Sequence, residues 1–216
     1  MELKDFLKLF KRSRKQTEEE FAYNLLLLIN NEDGYEDIKE RCYEKMLKSL
    51  KYCFYLRCDL PSIPENIKRK TEEKINNDED IRFAYSMIRY VEDLPEDIKR
   101  KFELKCCNDI DYAFSLRKNI KDLPEDVKRL AELKCCEDTS TAFFLRMNIK
   151  DLSEDMKRMA EEKCLESSED SFHLLFEVKD LSDEMKTRAM KKIEEKEEYK
   201  KEMFRRLGEN GKESKV

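Results

Sequence analysis

DLPEDIKRKFELKCC, the stretch at residues 93–107, recurs along the chain with small changes. The other copies, which keep the same order of acidic, apolar and basic residues, cover residues 33–47, 62–76, 122–136, 151–165 and 180–194. Successive copies begin 29 residues apart, with one step of 31. A fixed period of this length is typical of proteins built from repeated supersecondary units. The internal repeat therefore predicts the architecture.

Each copy predicts one helix, which we name helix B. The first residue of a copy is Ser or Asp, and an acidic residue follows three positions later, as in Asp93 and Glu96. This spacing is typical of a capping box, so we interpret the first residue of each copy as the N-cap. Apolar residues then recur at i, i+4 and i+8, as in Ile98, Phe102 and Cys106, and these positions share one side of a helix.

A second helix, helix A, precedes each copy. Its pattern is a small residue, an aromatic residue and a leucine, as in Ala113-Phe114-x-Leu116 and Ala142-Phe143-x-Leu145. Suitable N-cap residues precede these patterns at Ser49, Asp78, Asp109, Asp138 and Ser167. A hairpin of two such helices cannot bury its apolar face alone, whereas stacked hairpins share a continuous core.

The expected fold is all-α, a right-handed α-solenoid of about six two-helix repeats of 29–31 residues. Composition supports helices, because the chain has only 3 Gly and 4 Pro and 44% charged residues. Such composition is also found in disordered chains, but periodic apolar residues oppose that alternative. We expect a capping helix at residues 1–16, the repeat domain at 17–207 with a long last helix near 183–207, and a flexible tail at 208–216.

The two-helix unit resembles the class of α-solenoids that includes HEAT and TPR arrays, although the Trp and Gly signature of TPR units is absent. The segments FAYSMIRYVEDLPED at 83–97 and DYAFSLRKNIKDLPED at 111–126 also resemble the Ala-Tyr helical repeats of large phages and giant viruses. This resemblance implies stacked helical hairpins. It assigns no functional residue.

The charge of the chain is unevenly distributed around a formal total of −5. Residues 1–16 carry six basic and two acidic side chains, and residues 186–216 carry eleven basic and seven acidic ones, which gives +4 at each end. The middle therefore carries −13. An acidic body opposes the wrapping of nucleic acid along its length.

The sequence also indicates a location. No apolar run approaches 18 residues, so we expect no membrane span, and the N-terminal residues lack the apolar core of a signal peptide. We expect a cytoplasmic protein, including one in the cytoplasm of a host cell, whose eight Cys stay reduced.

The cysteines favour packing over metal binding. Cys106, Cys135 and Cys164 occupy the helix B position that holds Met or Ile in other copies, which indicates a core position. The adjacent Cys107 and Cys136 point about 100° away on a helix, so neither pair makes a chelate. We expect Cys107 and Cys136 to be the more exposed ones, and we expect no metal and no cofactor.

No catalytic set is apparent. His173 is the single histidine, and no Ser-His-Asp or Cys-His-Asn pattern and no glycine-rich loop accompanies it. We interpret His173 as a packing or surface residue and the protein as a non-enzyme. The alternative is an enzyme with an unrecognised site.

A lysine ends helix B in every copy, at positions 45, 74, 105, 134, 163 and 192. These lysines could line a groove as a ladder of cations. We favour the other interpretation, in which each faces the helix C-terminus and pairs with an acid of the adjacent repeat.

A polar ridge on helix A is the candidate binding site. It consists of Arg117, Lys118, Asn119, Arg146 and Asn148. The same residues could instead cap helix ends, and we leave the two interpretations open. The expected function is a non-catalytic protein-binding scaffold or adaptor whose partner has an acidic surface. The alternative is RNA or other nucleic-acid binding, which the basic ends favour and the acidic body opposes.

Overall fold

A computed structural model describes residues 17–60 and 62–213, with side chains described as far as Leu207. Thirteen helices and no strand occur in these residues. The capping helix expected at residues 1–16 lies outside them. None of the helices in the described part of the chain combines the length and apolar character needed to cross a bilayer. The all-α prediction is confirmed.

The chain forms two compact units, one up to Lys105 and one from Cys106 onward. The helices of the first unit are α1 Glu18–Ile29, α2 Glu36–Met46, α3 Leu50–Asp59, α4 Glu65–Asn77, α5 Ile81–Tyr90 and α6 Glu96–Cys106. Helices α1, α3 and α5 are type A, and helices α2, α4 and α6 are type B. The A helices pack in succession, α1 on α3 and α3 on α5, while α2 and α4 each pack on the A helices before and after them. The fully buried Leu26, Met46 and Leu56 form the centre of this core.

The second unit repeats this arrangement. Its helices are α7 Ile110–Asn119, α8 Glu125–Cys135, α9 Thr139–Asn148, α10 Glu154–Cys164, α11 Ser168–Glu177, α12 Asp183–Ile193 and α13 Glu197–Glu213. Successive type A helices pack on one another from α7 to α11, and α13 packs on α11 and α12. The described residues thus contain six A–B pairs in succession, as an α-solenoid of about six repeats requires. The handedness stays a prediction.

The small-aromatic-x-Leu pattern sets the contact face of helix A. Ala142 and Leu145 of α9 are both fully buried, as are Ala113 and Leu116 of α7. A methyl side chain lets the neighbouring helix approach closely, and the leucine one turn later fills the space between them.

The N-caps predicted for helix A are largely confirmed. The Asp109, Asp138 and Ser167 side chains accept hydrogen bonds from the first-turn amides of their helices. Ser49 is the N-cap of α3 but its side chain makes no capping bond. Helix α5 is capped by Asp80 rather than Asp78.

The N-caps predicted for helix B are wrong. The N-cap of α4 is Pro64, that of α8 is Pro124, and those of α10 and α12 are Ser153 and Ser182. The expected Ser or Asp lies two residues earlier. The residue between them, such as Leu123 or Leu152, is buried in the core and holds the chain extended ahead of the helix.

The single long last helix expected near 183–207 is also wrong. Two helices occupy this segment, because α12 ends at Ile193 and α13 begins at Glu197. The break lets α13 return to the core, where Met203 is buried beside Phe172 and Ile193. Helix α13 continues to Glu213, past the expected end at Leu207.

The cysteine positions are mostly as expected. Cys106, Cys135 and Cys164 are fully buried, which confirms their core positions. Cys107 is 7% exposed, more than those three cysteines as expected, but it is still buried and its thiol donates to the Val127 carbonyl. Cys136 is half-buried.

We expect Cys135 and Cys164 to be inert in the folded protein. Burial raises the pKa of each thiol to about 12, so almost none of either thiol is present as the reactive thiolate near neutral pH. Labelling with Ellman's reagent should be slow in the native protein and fast in concentrated guanidinium, with mass spectrometry identifying each labelled Cys. Equal labelling rates under both conditions would contradict the buried assignment.

Candidate partner-binding surface

The two arginines of the predicted ridge are buried. Arg117 is 7% exposed and Arg146 is 9% exposed. The Arg117 Nε donates to Glu132 Oε1 over 2.7 Å, and its Nη2 donates to Asp151 Oδ1 over 2.8 Å. The surface position that the sequence interpretation gave to these arginines is therefore wrong, since their guanidinium groups are held inside the protein.

The same three-residue arrangement occurs three times in the part of the chain that the structure describes, and we name it the arginine clamp. Its members are Arg57, Glu72 and Asp93; Arg117, Glu132 and Asp151; and Arg146, Glu161 and Asp180. In each clamp the arginine lies on helix A, the glutamate on helix B of the same repeat, and the aspartate at the A–B turn of the next repeat. A clamp thus joins two neighbouring repeats.

Electrostatics agrees with this structural role. Burial by itself lowers the pKa of Arg117, but the hydrogen bonds that Arg117 donates to Glu132 and Asp151 outweigh burial and raise it. The hydrogen bond from Arg117 lowers the pKa of Asp151. Both groups are therefore held in their charged forms. In the first unit, burial raises the pKa of Glu72 despite the attraction of Arg57.

In the repeats of α10 and α12, the aspartate expected to cap helix B belongs to a clamp instead. Asp151 and Asp180, each at the A–B turn, accept a hydrogen bond from an arginine of the preceding repeat. Because the carboxylate accepts this long-range, charge-assisted hydrogen bond, it does not cap the first-turn amides of helix B as the sequence predicted.

The remaining ridge residues lie on the surface. Lys118, Asn119 and Asn148 are exposed at the ends of α7 and α9. The Lys118 ammonium lies 5.5 Å from the centre of the Phe114 ring, and the Asn148 amide donates to the Phe144 carbonyl over 2.8 Å. The capping interpretation thus holds for Asn148. The participation of these three residues in partner binding stays a prediction.

On α5 and α9 the most exposed large apolar side chain is aromatic, whereas α1 exposes Leu27 and Leu28, and the sequence interpretation missed these groups. In the second unit Phe144 is 52% exposed, and its ring centre lies 6.4 Å from that of Phe114. Met147, one turn further along α9, is 39% exposed. The doublet Phe143-Phe144 was the available signal, because adjacent helix residues point about 100° apart.

The first unit has its own aromatic surface on helix A. Tyr90 of α5 is 57% exposed, and its ring meets that of Phe54 edge-on at 6.4 Å. Phe54 also lies 6.4 Å from Phe83. Exposed aromatic clusters of this kind are characteristic of interaction sites, since aromatic residues dominate interface energetics.

Helix B exposes apolar groups of a different character. Leu130 and Leu133 of α8 and Met159 of α10 are exposed but aliphatic. They are interspersed with charged residues such as Arg129, which pairs with Asp155 at 2.6 Å. A cavity of about 300 Å³ also lies on this side, beside the clamp of Arg146. The charges around it are paired with one another, as Lys157 is with Glu154.

The helix B lysines agree only in part with the interpretation in which each faces the helix C-terminus and pairs with an acid of the adjacent repeat. Lys134, Lys163 and Lys192 each donate to the glutamate three residues later over 2.6 Å. The prediction that each lysine pairs with an acid of an adjacent repeat is wrong for these three lysines, because the glutamate belongs to the same repeat. Lys105 instead donates to the carbonyls of Ile75 and Asn76, near the end of α4.

His173 lies half-buried on α11. Its Nδ1 is 2.7 Å from Glu177 Oε1, and its ring contacts those of Phe143 and Phe172. Among the described residues, no group of His, Cys, Asp and Glu side chains is arranged to hold a metal ion.

No protein-family model, curated protein or solved structure matches the chain. The fold defines its class as an all-α helical-repeat protein. What the protein does must be inferred from its own side chains.

Proposed function

We propose that this protein is a non-catalytic protein-binding scaffold that uses the exposed face of its A helices. The observation that carries the proposal is the exposure of large aromatic and thioether side chains there, above all Phe144 and Tyr90. Leaving such groups in water is unfavourable, and a partner that covers them gains their burial energy. Aromatic and Met side chains are also enriched in protein interfaces.

Several contacts favour a protein partner over nucleic acid. The recurring arginines of helix A, which a nucleic-acid site would need for contact with phosphate, are buried in clamps. Arg205 and Arg206, in the basic C-terminal segment, both pair with Glu202. A nucleic-acid site needs cations that can reach the phosphate backbone.

The test compares two matched pairs of exposed residues in the second unit. Peptides selected from a displayed random library on the parent protein would be measured against Phe144→Ala/Met147→Ala, on helix A, and Leu130→Ala/Met159→Ala, on helix B. We expect the helix A variant to lose about 2 kcal/mol of binding, roughly thirtyfold in Kd, as for an aromatic hot spot. The helix B variant should bind like the parent.

All four residues are substantially exposed, so both variants should fold, which circular dichroism would check. Loss of binding only in the helix B variant would overturn the assignment of the face. Failure to select any peptide would count against protein binding itself.

A further inference from the structure

The first unit contains a groove that the predicted ridge does not include. It lies between α3 and α5, has a volume of about 330 Å³, and is lined by Lys51, Phe54, Tyr55, Arg82, Phe83 and Ser86. These two A helices pack directly on each other, so rigid elements hold both walls. A fixed groove binds a ligand without the entropy cost of ordering a loop.

The walls of the groove are aromatic. The Phe54 and Phe83 rings are inclined at 54° to each other, and Tyr55 lies next to Phe54 at a ring separation of 6.1 Å. Tilted rings around an open space offer both faces and edges to an entering group, which is the arrangement that aromatic pairs prefer. The groove therefore suits an apolar or aromatic side chain.

The rim of the groove is cationic. The Lys51 ammonium lies 5.4 Å from the Tyr52 ring centre and 5.6 Å from that of Tyr55. Arg82 is held by a bidentate pair with Asp80, and the Arg89 guanidinium lies 5.3 Å from the Tyr90 ring centre. Three cations thus border the aromatic surface, whereas Asp80 is engaged with one of them.

We propose that this groove binds a short acidic peptide segment of a partner protein, with one apolar side chain of the segment inserted between Phe54 and Phe83. The proposal rests on the proposed function and names its partner chemistry. A carboxylate beside the inserted side chain pairs with Lys51. Charge complementarity of this kind steers association and fixes the register of the peptide.

The neighbouring charges disfavour a nucleic-acid strand. A single strand needs a row of cations along its backbone as well as stacking platforms. Helix α1, which packs beside α3, opens instead with Glu18, Glu19 and Glu20. These carboxylates place negative charge on a helix that packs against one wall of the groove, which opposes a polyphosphate whose charge continues along its whole length.

The experiment uses the full chain and fluorescence anisotropy. The probe is a labelled peptide, Asp-Glu-Phe-Asp-Glu, compared with the same peptide carrying Ala for Phe, with a Lys-Lys-Phe-Lys-Lys peptide, and with single-stranded oligouridine. We expect the acidic Phe peptide to bind best and to weaken with added salt. Replacing its Phe by Ala should weaken binding on the order of tenfold, the effect of removing one buried anchor.

The protein variant is Lys51→Glu, and the matched control is Lys70→Glu, a change of the same charge at an exposed position of α4. Lys51→Glu should weaken binding of the acidic peptide on the order of tenfold, while Lys70→Glu should leave its affinity unchanged. Preference for the Lys peptide or for oligouridine, or equal effects of the two variants, would overturn the acidic-peptide site. If the Phe144 and Met147 variant still abolishes binding of library-selected peptides in that case, the proposed function stands and only this groove fails.

Discussion

Arg117→Ala is expected to lower the free energy of unfolding by about 3–5 kcal/mol, the range for breaking a buried ion pair by removing one partner. The substitution leaves Glu132, which is 6% exposed, as a buried carboxylate without its counter-ion. It also releases Asp151, so the contact with the next repeat is lost. Equilibrium urea denaturation followed by circular dichroism would measure the change.

The control for this prediction is Arg158→Ala. Arg158 belongs to helix B of the same unit and pairs with Glu162 at 3.2 Å, but its side chain is 70% exposed. An exposed pair contributes less than about 1 kcal/mol, so this variant should unfold almost like the parent. Similar losses of unfolding free energy in the two variants would show that the clamp contributes no more to stability than an exposed ion pair does.

Sequence periodicity was sufficient to predict the helices and most of the residues of the core. Spacing at i, i+4 and i+8 reflects burial along one helix, so it placed Cys106, Cys135 and Cys164 correctly. The buried face of a single helix can be predicted from the spacing of apolar residues within one short stretch of sequence.

The clamps could not be predicted in the same way, because they depend on the fold. Arg117 meets a glutamate 15 residues later and an aspartate 34 residues later. Only the packing of helix A on helix B within a repeat, and of one repeat on the next, brings these charges together. A comparison between repeats did contain a signal, since the clamp positions of Arg146 and Glu161 hold Leu175 and Met190 in the last repeat.

The candidate site was missed for a related reason. The sequence shows two aromatic residues at 143 and 144 without showing which one faces the neighbouring helix. Packing buries Phe143 and leaves Phe144 outside. The sequence interpretation placed the arginines on the surface because isolated charges are rarely buried. Arginines that pair with carboxylates are an exception to that rule.

The apolar pair in the last repeat leads to the second large effect. Arg146→Leu and Glu161→Met introduce the residues that stand at the equivalent positions Leu175 and Met190, where both side chains pack against the apolar cluster of Phe172, Ile193 and Met203. Arg146→Leu leaves the buried Glu161 without its counter-ion and should cost about 3–5 kcal/mol. Glu161→Met leaves Arg146 paired with Asp180 alone, so it should cost less, about 2 kcal/mol. In the double variant neither charge remains, and Asp180, whose side chain is 63% exposed, is hydrated. We therefore expect the double variant to unfold within about 1–2 kcal/mol of the parent, because a well-packed apolar pair can replace a buried ion pair.

A double-mutant cycle measured by urea denaturation tests this expectation, with a coupling energy of about 3 kcal/mol or more as the predicted result. Additive losses would show that the space between α9 and α10 cannot accept the apolar pair and that the clamp is needed for stability. If the double variant is as stable as expected, the clamp contributes chiefly through its third member. Arg146 reaches Asp180 at the turn before α12, a contact that no leucine can make. The buried arginine would then serve mainly to fix how one repeat is placed on the next, and hence the spacing of the exposed aromatic side chains on successive A helices of this unit.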